Sequence, residues 1–204
     1  MWKRLTHQWV RAGFAVLVVG IALFGLGIAA YGIYVCASAT ALIDSASQIR
    51  TMADAEREIA KWRKRLGKES WMEPDDSGQG GNYYVRIANP LIARLHIVEP
   101  SEVRMRVTVR DGKLLCVSVH IYTPVAPVAV DEWFKLGMQN QFSLSYIKGA
   151  VPMARVQLPS SLPDAQRRKA FAVRTRCLVL PVGCQKAEDV LPVIRDLKSG
   201  VSPG

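Results

Sequence analysis

Side chains suited to metal, acid–base or nucleophilic chemistry are few and scattered in this sequence. Its three histidines are His7, His96 and His120, and none stands beside a cysteine or another histidine at a metal-ligand spacing. The signatures HExxH, GxSxG, GxxxxGK[ST] and GxGxxG are all absent. We therefore predict no cofactor and no metal and identify no small-molecule substrate, and a membrane-anchored enzyme of unknown reaction is the last function we retain.

The cysteines offer one candidate for covalent chemistry. Cys177 and Cys184 could form a disulfide in an oxidising compartment. Seven extended residues would hold their Cα atoms about 23 Å apart, against roughly 4.4 to 6.8 Å in a disulfide, so the chain must reverse between them. The segment 180–183 has the sequence of a type I turn. Two reduced cysteines packed as small hydrophobic residues are the alternative, and we expect Cys116 to be buried and free.

One segment is long and apolar enough to cross a membrane. No charged side chain occurs from Ala12 to Ile43. About 20 helical residues cross the roughly 30 Å hydrocarbon layer, so we predict a cytoplasmic tail over 1–11 and a transmembrane helix over 12–36. The apolar run exceeds the roughly 7 to 15 residues of a signal-peptide core, which favours an uncleaved signal anchor over a cleaved signal.

Flanking charges predict the direction of insertion. Lys3, Arg4 and Arg11 precede the span, whereas Arg50 alone follows it closely, so the N-terminus should be cytoplasmic. The remaining chain should lie outside the cytoplasm, with a bacterial inner membrane and periplasm as the expected location. All 17 acidic residues and 24 of the 27 basic ones follow the span, so the exported part carries a formal charge of +7. Because of that location, no nucleic acid partner is expected.

Small residues line one side of the predicted transmembrane helix. They recur at alternating spacings of three and four, which places them on one helix face: Ala22, Gly25, Ala29, Gly32 and Cys36. Close approach of two backbones over such a face favours a homodimer. Glycine and alanine are also common in membrane helices in general, and that composition is the alternative explanation.

An amphipathic period continues beyond the span. Apolar residues recur at helical spacing as far as Gly67, which predicts a juxtamembrane helix over 37–67 continuous with the transmembrane helix. A continuous helix would place Lys61 about 37 Å beyond Cys36, far outside a Debye length of about 8 Å. We therefore predict that the basic residues near Gly67 form a solvated helix end and bind no lipid.

The rest of the chain has the pattern of an α+β domain. Half of all residues are hydrophobic, which excludes a disordered chain. After a predicted linker over 68–82 the period changes to two, so a mostly antiparallel sheet with short helices is expected over 83–204. Strands are predicted at 83–87, 91–98, 103–109, 114–122, 142–147, 151–158 and 172–180. Helices are predicted at 131–139, at 162–171 with a capping box from Ser161 to Asp164, and at 190–198 with Asp189 as its cap.

The Asp-Gly pair at 111–112 is the strongest turn signal. A two-residue loop there would place Val117 opposite Arg106 and mix apolar with charged residues on both faces. We therefore predict a three-residue loop over 110–112, which pairs Met105 with Val117 and gathers the apolar residues on one side.

The opposite side of this hairpin is a candidate basic binding face. It carries Arg104, Arg106 and His120. An acidic partner such as anionic lipid, cell-wall polymer or an acidic protein surface would suit it. A solvated sheet surface, with arginine stems covering apolar area, is the alternative.

The N-terminal sequence resembles that of a known family. Arg11-Ala12-Gly13-Phe14 followed by the apolar run is similar to the start of type IV pilins and pseudopilins, in which a basic leader is cut between glycine and phenylalanine. A long N-terminal helix, a linker, an antiparallel sheet and a C-terminal cysteine pair are also similar. The family has a glutamate five residues into the mature chain, where this sequence has Val18. The resemblance implies an assembly subunit that begins at Phe14.

These observations predict a single-pass protein anchored in the membrane. Its exported domain would act as a scaffold or binding component of an envelope or secretion assembly, and its partners would be the membrane, other envelope proteins or a second copy of the chain. A type IV pilin-like or pseudopilin subunit is the alternative.

Reporter fusions test the predicted direction. A marker that is active only outside the cytoplasm should be active after Gly67 and after Gly204, because the positive charges that flank the span precede it. A cytoplasmic marker fused before Met1 should also be active and serves as the control. The reverse pattern at Gly67 and Gly204 would contradict the orientation.

Overall fold

A computed structural model of the chain describes residues 2–75, 80–88, 101–123, 126–134, 141–145, 153–179 and 184–198. The chain forms two compact units, Met1–Tyr34 and Val35–Gly204. The first unit belongs to one long helix, and the second combines helices with a sheet. The predicted α+β class is confirmed.

The first unit belongs to helix α1, which runs from Trp2 to Gln48 and carries no charged residue from Ala12 to Ile43. From Phe14 to Leu26 its large apolar side chains are exposed, and Phe14, Leu23 and Phe24 are 68 %, 63 % and 65 % exposed. By length and composition this helix can cross a membrane. An uncharged helix with exposed apolar side chains on every side is typical of a membrane span.

The helix predicted to run on to Gly67 is interrupted after Gln48. Helix α2 spans Met52–Leu66, and its N-terminal cap is Thr51. The Thr51 hydroxyl accepts from the Asp54 amide at 3.2 Å, and the Asp54 carboxylate accepts from the Thr51 amide at 3.1 Å. This capping box starts a new helix, so the prediction of one continuous helix is wrong. Helix α2 does end at Gly67, which has a φ of 54°.

The interruption turns the chain back on itself. Trp62 Nε1 donates to Ser45 Oγ at 3.1 Å, and Arg65 Nη2 donates to Ser38 Oγ at 3.3 Å. A later residue of α2 thus contacts an earlier residue of α1, which means that the two helices run antiparallel. Trp62 is fully buried in this helical hairpin.

A seven-stranded sheet forms most of the second unit. Its strands are β1 (Ser70–Pro74), β2 (Gly80–Ala88), β3 (Glu102–Arg110), β4 (Lys113–Tyr122), β5 (Val128–Trp133), β6 (Gln141–Ser145) and β7 (Met153–Pro159). They lie in the order β1, β2, β3, β4, β5, β7, β6. Strands β5 and β7 are parallel, and the other described neighbours are antiparallel as predicted.

Two predicted boundaries around the sheet differ from the structure. The segment assigned to a linker over 68–82 contains β1 and the start of β2, which pair as a hairpin with Trp71 opposite Tyr84. The helix predicted at 131–139 is wrong for its first three residues, because 131–133 complete β5 between two neighbouring strands. The strand predicted at 91–98 lies outside the described residues.

Short helices follow the last strand: α3 (Asp164–Ala170), a 3₁₀ turn (Thr175–Leu178), α4 (Ala187–Val190) and α5 (Val193–Lys198). Helix α3 confirms the prediction at 162–171, but Pro163 is its N-cap and the predicted capping box is wrong, since Asp164 pairs with Arg50. The strand predicted at 172–180 is wrong, since the 3₁₀ turn lies there. Asp189 lies inside α4 and accepts from the Lys186 amide at 3.0 Å, so it does not cap a helix over 190–198.

The β3–β4 hairpin has a two-residue loop, so the predicted three-residue loop is wrong. Asp111 and Gly112 both have positive φ, 52° and 67°, as a type I′ turn requires. A register shift beside Val109 inserts one extra residue into β4. Val117 therefore lies opposite Val107. The bulge thus keeps the apolar residues on one face with the tighter turn.

That apolar face of the sheet forms the core with the helices. Six of its residues in β3 and β4 are completely buried: Val103, Met105, Val107, Val117, Val119 and Ile121. Helix α2 contacts β1, β2 and β4.

A buried ion pair joins three elements of the core. Arg167 of α3 and Glu132 of β5 have side chains only 2 % and 0 % exposed. Arg167 Nε donates to both carboxylate oxygens of Glu132 at 2.7 Å, and its Nη2 donates to the Ile49 carbonyl at 2.8 Å. Arg50 Nη1 also reaches Glu132, at 3.2 Å. The pair therefore satisfies carbonyl groups at the end of α1, which has no basic residue in its last turn.

Replacement of Arg167 tests the role of this pair. Arg167→Met should lower the free energy of unfolding by about 3 to 5 kcal/mol, because it leaves Glu132 buried with less compensation. Urea unfolding of the full chain in detergent, followed by tryptophan fluorescence, measures the change.

Arg168→Met is the matched control, since Arg168 is the exposed neighbour of Arg167. It should change the free energy of unfolding by less than about 0.5 kcal/mol. Adding Glu132→Leu to Arg167→Met should recover part of the loss. Equal effects of the Arg167 and Arg168 substitutions would contradict the structural role of the pair.

Candidate binding face

The side of the sheet opposite the core, which we call the polar face, carries the residues predicted as a basic surface. Arg104 pairs with His120 and Arg106 with Ser118 across β3 and β4, so all four side chains lie on this face. Tyr84 of β2 lies beside Arg106. The structure therefore brings Arg104, Arg106 and His120 together.

Carboxylates from neighbouring strands and loops neutralise most of this arginine charge. The ion pairs on the polar face include Arg86–Glu102 at 2.5 Å, Arg104–Glu102 at 2.7 Å, Arg155–Asp131 at 3.1 Å, Arg110–Asp75 at 3.2 Å and Arg106–Asp131 at 4.0 Å. The polar face is thus a network of alternating positive and negative charges. The sequence of the β3–β4 hairpin alone could not reveal this network, because several of the carboxylates come from other elements.

Asp131 is the centre of this charge network, and its side chain is 1 % exposed. Its Oδ1 lies 3.4 Å from His120 Nε2, and its Oδ2 lies 3.1 Å from Arg155 Nε. Burial raises the pKa of Asp131, but hydrogen bonds from His120 and Ser118 and the charges of His120 and Arg155 outweigh burial and lower this pKa below its ordinary value. Asp131 is therefore a carboxylate at neutral pH.

Ser118, His120 and Asp131 are the residue types of a hydrolytic triad, but their geometry is different. In a triad the histidine lies between the serine and the carboxylate. Here His120 directs Nε2 toward Asp131 and Nδ1 toward the Tyr122 hydroxyl, 3.2 Å away, while Ser118 hydrogen-bonds to Asp131 itself. Burial raises the pKa of the adjacent Cys116 to about 12, so its thiol is not a ready nucleophile. The hydrogen bonds of Ser118 and His120 therefore hold the Asp131 carboxylate in place and do not activate a nucleophile.

Aromatic rings extend the polar face toward β1, an edge strand of the described sheet. Trp71 and Tyr84 stack with ring centroids 5.0 Å apart. The guanidinium of Arg104 lies 5.7 Å from the Trp71 ring and 5.3 Å from the Tyr122 ring. These distances suit cation–π contacts. Sequence reasoning missed Trp71 because β1 is short and was assigned to a linker.

Several buried polar atoms on the polar face lack a hydrogen-bond partner. They are Arg104 Nε, Arg106 Nε and Trp133 Nε1. An unsatisfied buried donor or acceptor costs roughly 1 to 3 kcal/mol. Their concentration on one side of the sheet makes the polar face the leading candidate for a functional surface.

A second concave region lies between the end of α1 and α3. This cleft of about 600 Å³ is lined in part by Asp44, Arg50, Asp164 and Arg168. Arg50 is bonded to Asp164 and to Glu132. Two of these four charged residues, Arg50 and Asp164, therefore take part in the ion pairs around Glu132.

The predicted dimer face of α1 is divided between the two units. Ala22, Gly25 and Ala29 are exposed in the first unit, whereas Gly32 is buried, and a Cβ built on Gly25 would meet nothing within 4 Å. Cys36 belongs to the second unit, where its half-buried thiol donates to the Thr175 carbonyl at 3.3 Å. The homodimer through Ala22, Gly25, Ala29 and Gly32 stays a prediction, and Cys36 makes its contact within the domain.

The remaining cysteines are placed as follows. Cys177 and Cys184 form a disulfide with Cα atoms 5.7 Å apart, and Cys116 is buried and free. The turn predicted at 180–183 lies outside the described residues. Among the residues that the structure describes, no group of three or more His, Cys, Asp or Glu side chains could hold a metal ion.

No protein family, curated protein or solved structure matches this chain. The function of the polar face has to be inferred from its own geometry.

The lowered pKa of Asp131 gives a pH prediction. Its contribution to stability should be complete above the ordinary aspartate pKa of about 4 and should be lost as the pH falls through the lower folded value. The difference in free energy of unfolding between the parent and Asp131→Asn should therefore narrow as the pH falls from about 5 to 2. Urea unfolding at a series of pH values measures it.

Asp111→Asn, in the exposed turn, controls for the loss of one carboxylate. A difference between the parent and Asp131→Asn that widens as the pH falls would contradict the assignment of a stabilising carboxylate.

Proposed function

We propose that this protein is a single-pass membrane-anchored binding component of an envelope or secretion assembly, with its α+β domain outside the cytoplasm. The exposed apolar side chains of α1 support the anchor. The Cys177–Cys184 disulfide supports an oxidising compartment. The flanking charges support a cytoplasmic N-terminus.

The polar face is the surface through which the domain binds a protein partner. The observation that carries this proposal is the Trp71–Tyr84 stack beside Arg104 on half-exposed strands. Tryptophan, tyrosine and arginine dominate the energetic centres of protein interfaces. Because Glu102 and Asp131 already pair with Arg104 and Arg106, a partner that presents polar and aromatic groups without an excess of carboxylates suits this face.

Substitution of Trp71 tests the binding function. The full chain carrying Trp71→Ala, cross-linked in its native membranes and purified, should retain about tenfold less of the proteins that the parent captures specifically, as expected for a central aromatic contact. Quantitative mass spectrometry of the captured chains is the measurement.

Met72→Ala is the matched control. Met72 is the next residue of β1, is 49 % exposed and pairs with Tyr83, which places it on the opposite side of the sheet. It should leave capture unchanged. Parent-like capture by Trp71→Ala, or equal losses for both variants, would reject the polar face as the binding surface.

A pilin-like subunit is the second candidate, and one observation favours it. Within the second unit, the end of α1 contributes Val35, Ala39, Leu42 and Ala46 to the core, so a single helix has an exposed apolar part followed by a part packed in a sheet domain. The mass of the mature N-terminus separates the candidates. A chain that begins at Phe14 supports the pilin-like subunit, and retention of Met1 supports the anchored binding protein.

A further inference from the structure

The antiparallel course of α2 returns its basic end to the beginning of the second unit. Three consecutive basic residues, Arg63, Lys64 and Arg65, form the last turn of α2. Arg65 Nη2 donates to Ser38 Oγ at 3.3 Å. The interruption at 49–51 therefore brings the basic turn of α2 back to Ser38. In one continuous helix this turn would lie about 40 Å from Ser38 along the axis.

A second element brings basic residues to the same turn of α1. The Thr175 carbonyl accepts from Cys36 Sγ at 3.3 Å, and the Thr175 hydroxyl lies 3.1 Å from Thr40 Oγ1. Arg174 and Arg176 flank Thr175 and are both exposed. Two segments more than 100 residues apart in the chain thus place cations beside residues 36–40.

We call this group the basic collar, and it comprises Arg63, Lys64, Arg65, Lys68, Arg174 and Arg176. All six side chains are exposed. No carboxylate lies within ion-pair distance of any of them in the part of the chain that the structure describes, in contrast to the arginines of the polar face. Glu69, the acidic residue next to Lys68 in the sequence, lies 3.9 Å from Arg86.

Chain length alone keeps the basic collar close to the proposed membrane surface. Ser38 follows Tyr34, the last residue of the apolar unit, by four residues, which span at most about 14 Å. The headgroup layer on each side of a bilayer is about 5 to 8 Å thick, and the Debye length is about 8 Å. Cations beside Ser38 are therefore within electrostatic reach of lipid phosphates.

We propose that the basic collar binds the phosphate groups of anionic phospholipids in the membrane that α1 spans. The inference rests on the proposed membrane anchor. Guanidinium groups of the collar can donate two parallel hydrogen bonds to one phosphate, and the lysines add unpaired positive charge. Lipid binding at this level holds the second unit against the membrane surface.

Lipid selectivity of the reconstituted full chain tests the proposal. The protein is inserted into nanodiscs that contain phosphatidylcholine and phosphatidylglycerol, and spin-labelled versions of each lipid report which one is restricted next to the protein. The parent should prefer phosphatidylglycerol at least about fivefold at low salt, and high salt should reduce the preference.

Two charge-removing variants locate the preference. R63Q/K64Q and R174Q/R176Q each remove two collar charges and should each reduce the preference at least about twofold, with a larger loss when they are combined. K113Q/R195Q is the matched control, because it removes two exposed charges outside the collar. It should keep the parental preference, and circular dichroism should show the same fold for every variant.

The outcomes separate this inference from the proposed anchor. A chain that does not insert into nanodiscs contradicts the membrane anchor. A chain that inserts but shows no preference, or shows one that the collar variants do not reduce, overturns the basic collar and leaves the anchor standing. Equal losses in the control variant also overturn it, because general charge would then explain the preference.

Discussion

The buried pair of Arg167 and Glu132 fixes the position of the helices of the second unit relative to its sheet. Arg167 joins α3 to β5 through Glu132 and reaches back to the carbonyls of Ala46 and Ile49. Two charges in the core are costly unless every polar group around them is satisfied. The backbone at the end of α1 supplies the needed acceptors, so the position at which α1 stops is tied to the position of α3.

Where α1 stops decides how the charges of the domain are distributed. Thr51 and Asp54 begin α2 directly after the interruption, and the contacts of Trp62 and Arg65 direct it back along α1. The basic end of α2 consequently lies beside Ser38, whereas a continuous helix would carry it away. The arginines of the sheet, in contrast, form ion pairs, because β-pairing places Glu102 and Asp131 beside them. The excess positive charge is therefore concentrated near the start of the unit.

Local patterns in the sequence predicted the apolar helix, the end of α2 at Gly67, strands β3 and β4, and the α+β class. Features that depend on competition between local signals and tertiary contacts were not predictable. The capping box at Thr51 lies within a run that keeps its apolar period, so periodicity alone favoured one helix. The sequence pattern disfavours the tight turn at 111–112, because the bulge that compensates for it near Leu114 leaves no sequence signal. Asp131 was assigned to a helix since its partners, His120 and Arg155, come from other strands.

The polar face and the basic collar differ in whether their basic side chains form ion pairs. The sequence indicates basic residues at Arg104, Arg106 and His120 and again near Gly67, but charge count alone does not distinguish a paired arginine from an unpaired one. On the polar face, Arg104 is held between Glu102 and two aromatic rings, which leaves a rigid, nearly neutral platform suited to a shaped partner. In the basic collar, Arg63 and Lys64 are exposed on a helix end without ion pairs among the described residues, which suits a diffuse and mobile array of phosphates. The two surfaces are both rich in basic residues, but only the polar face is already neutralised, so the basic collar alone carries the net positive charge that attracts lipid phosphates.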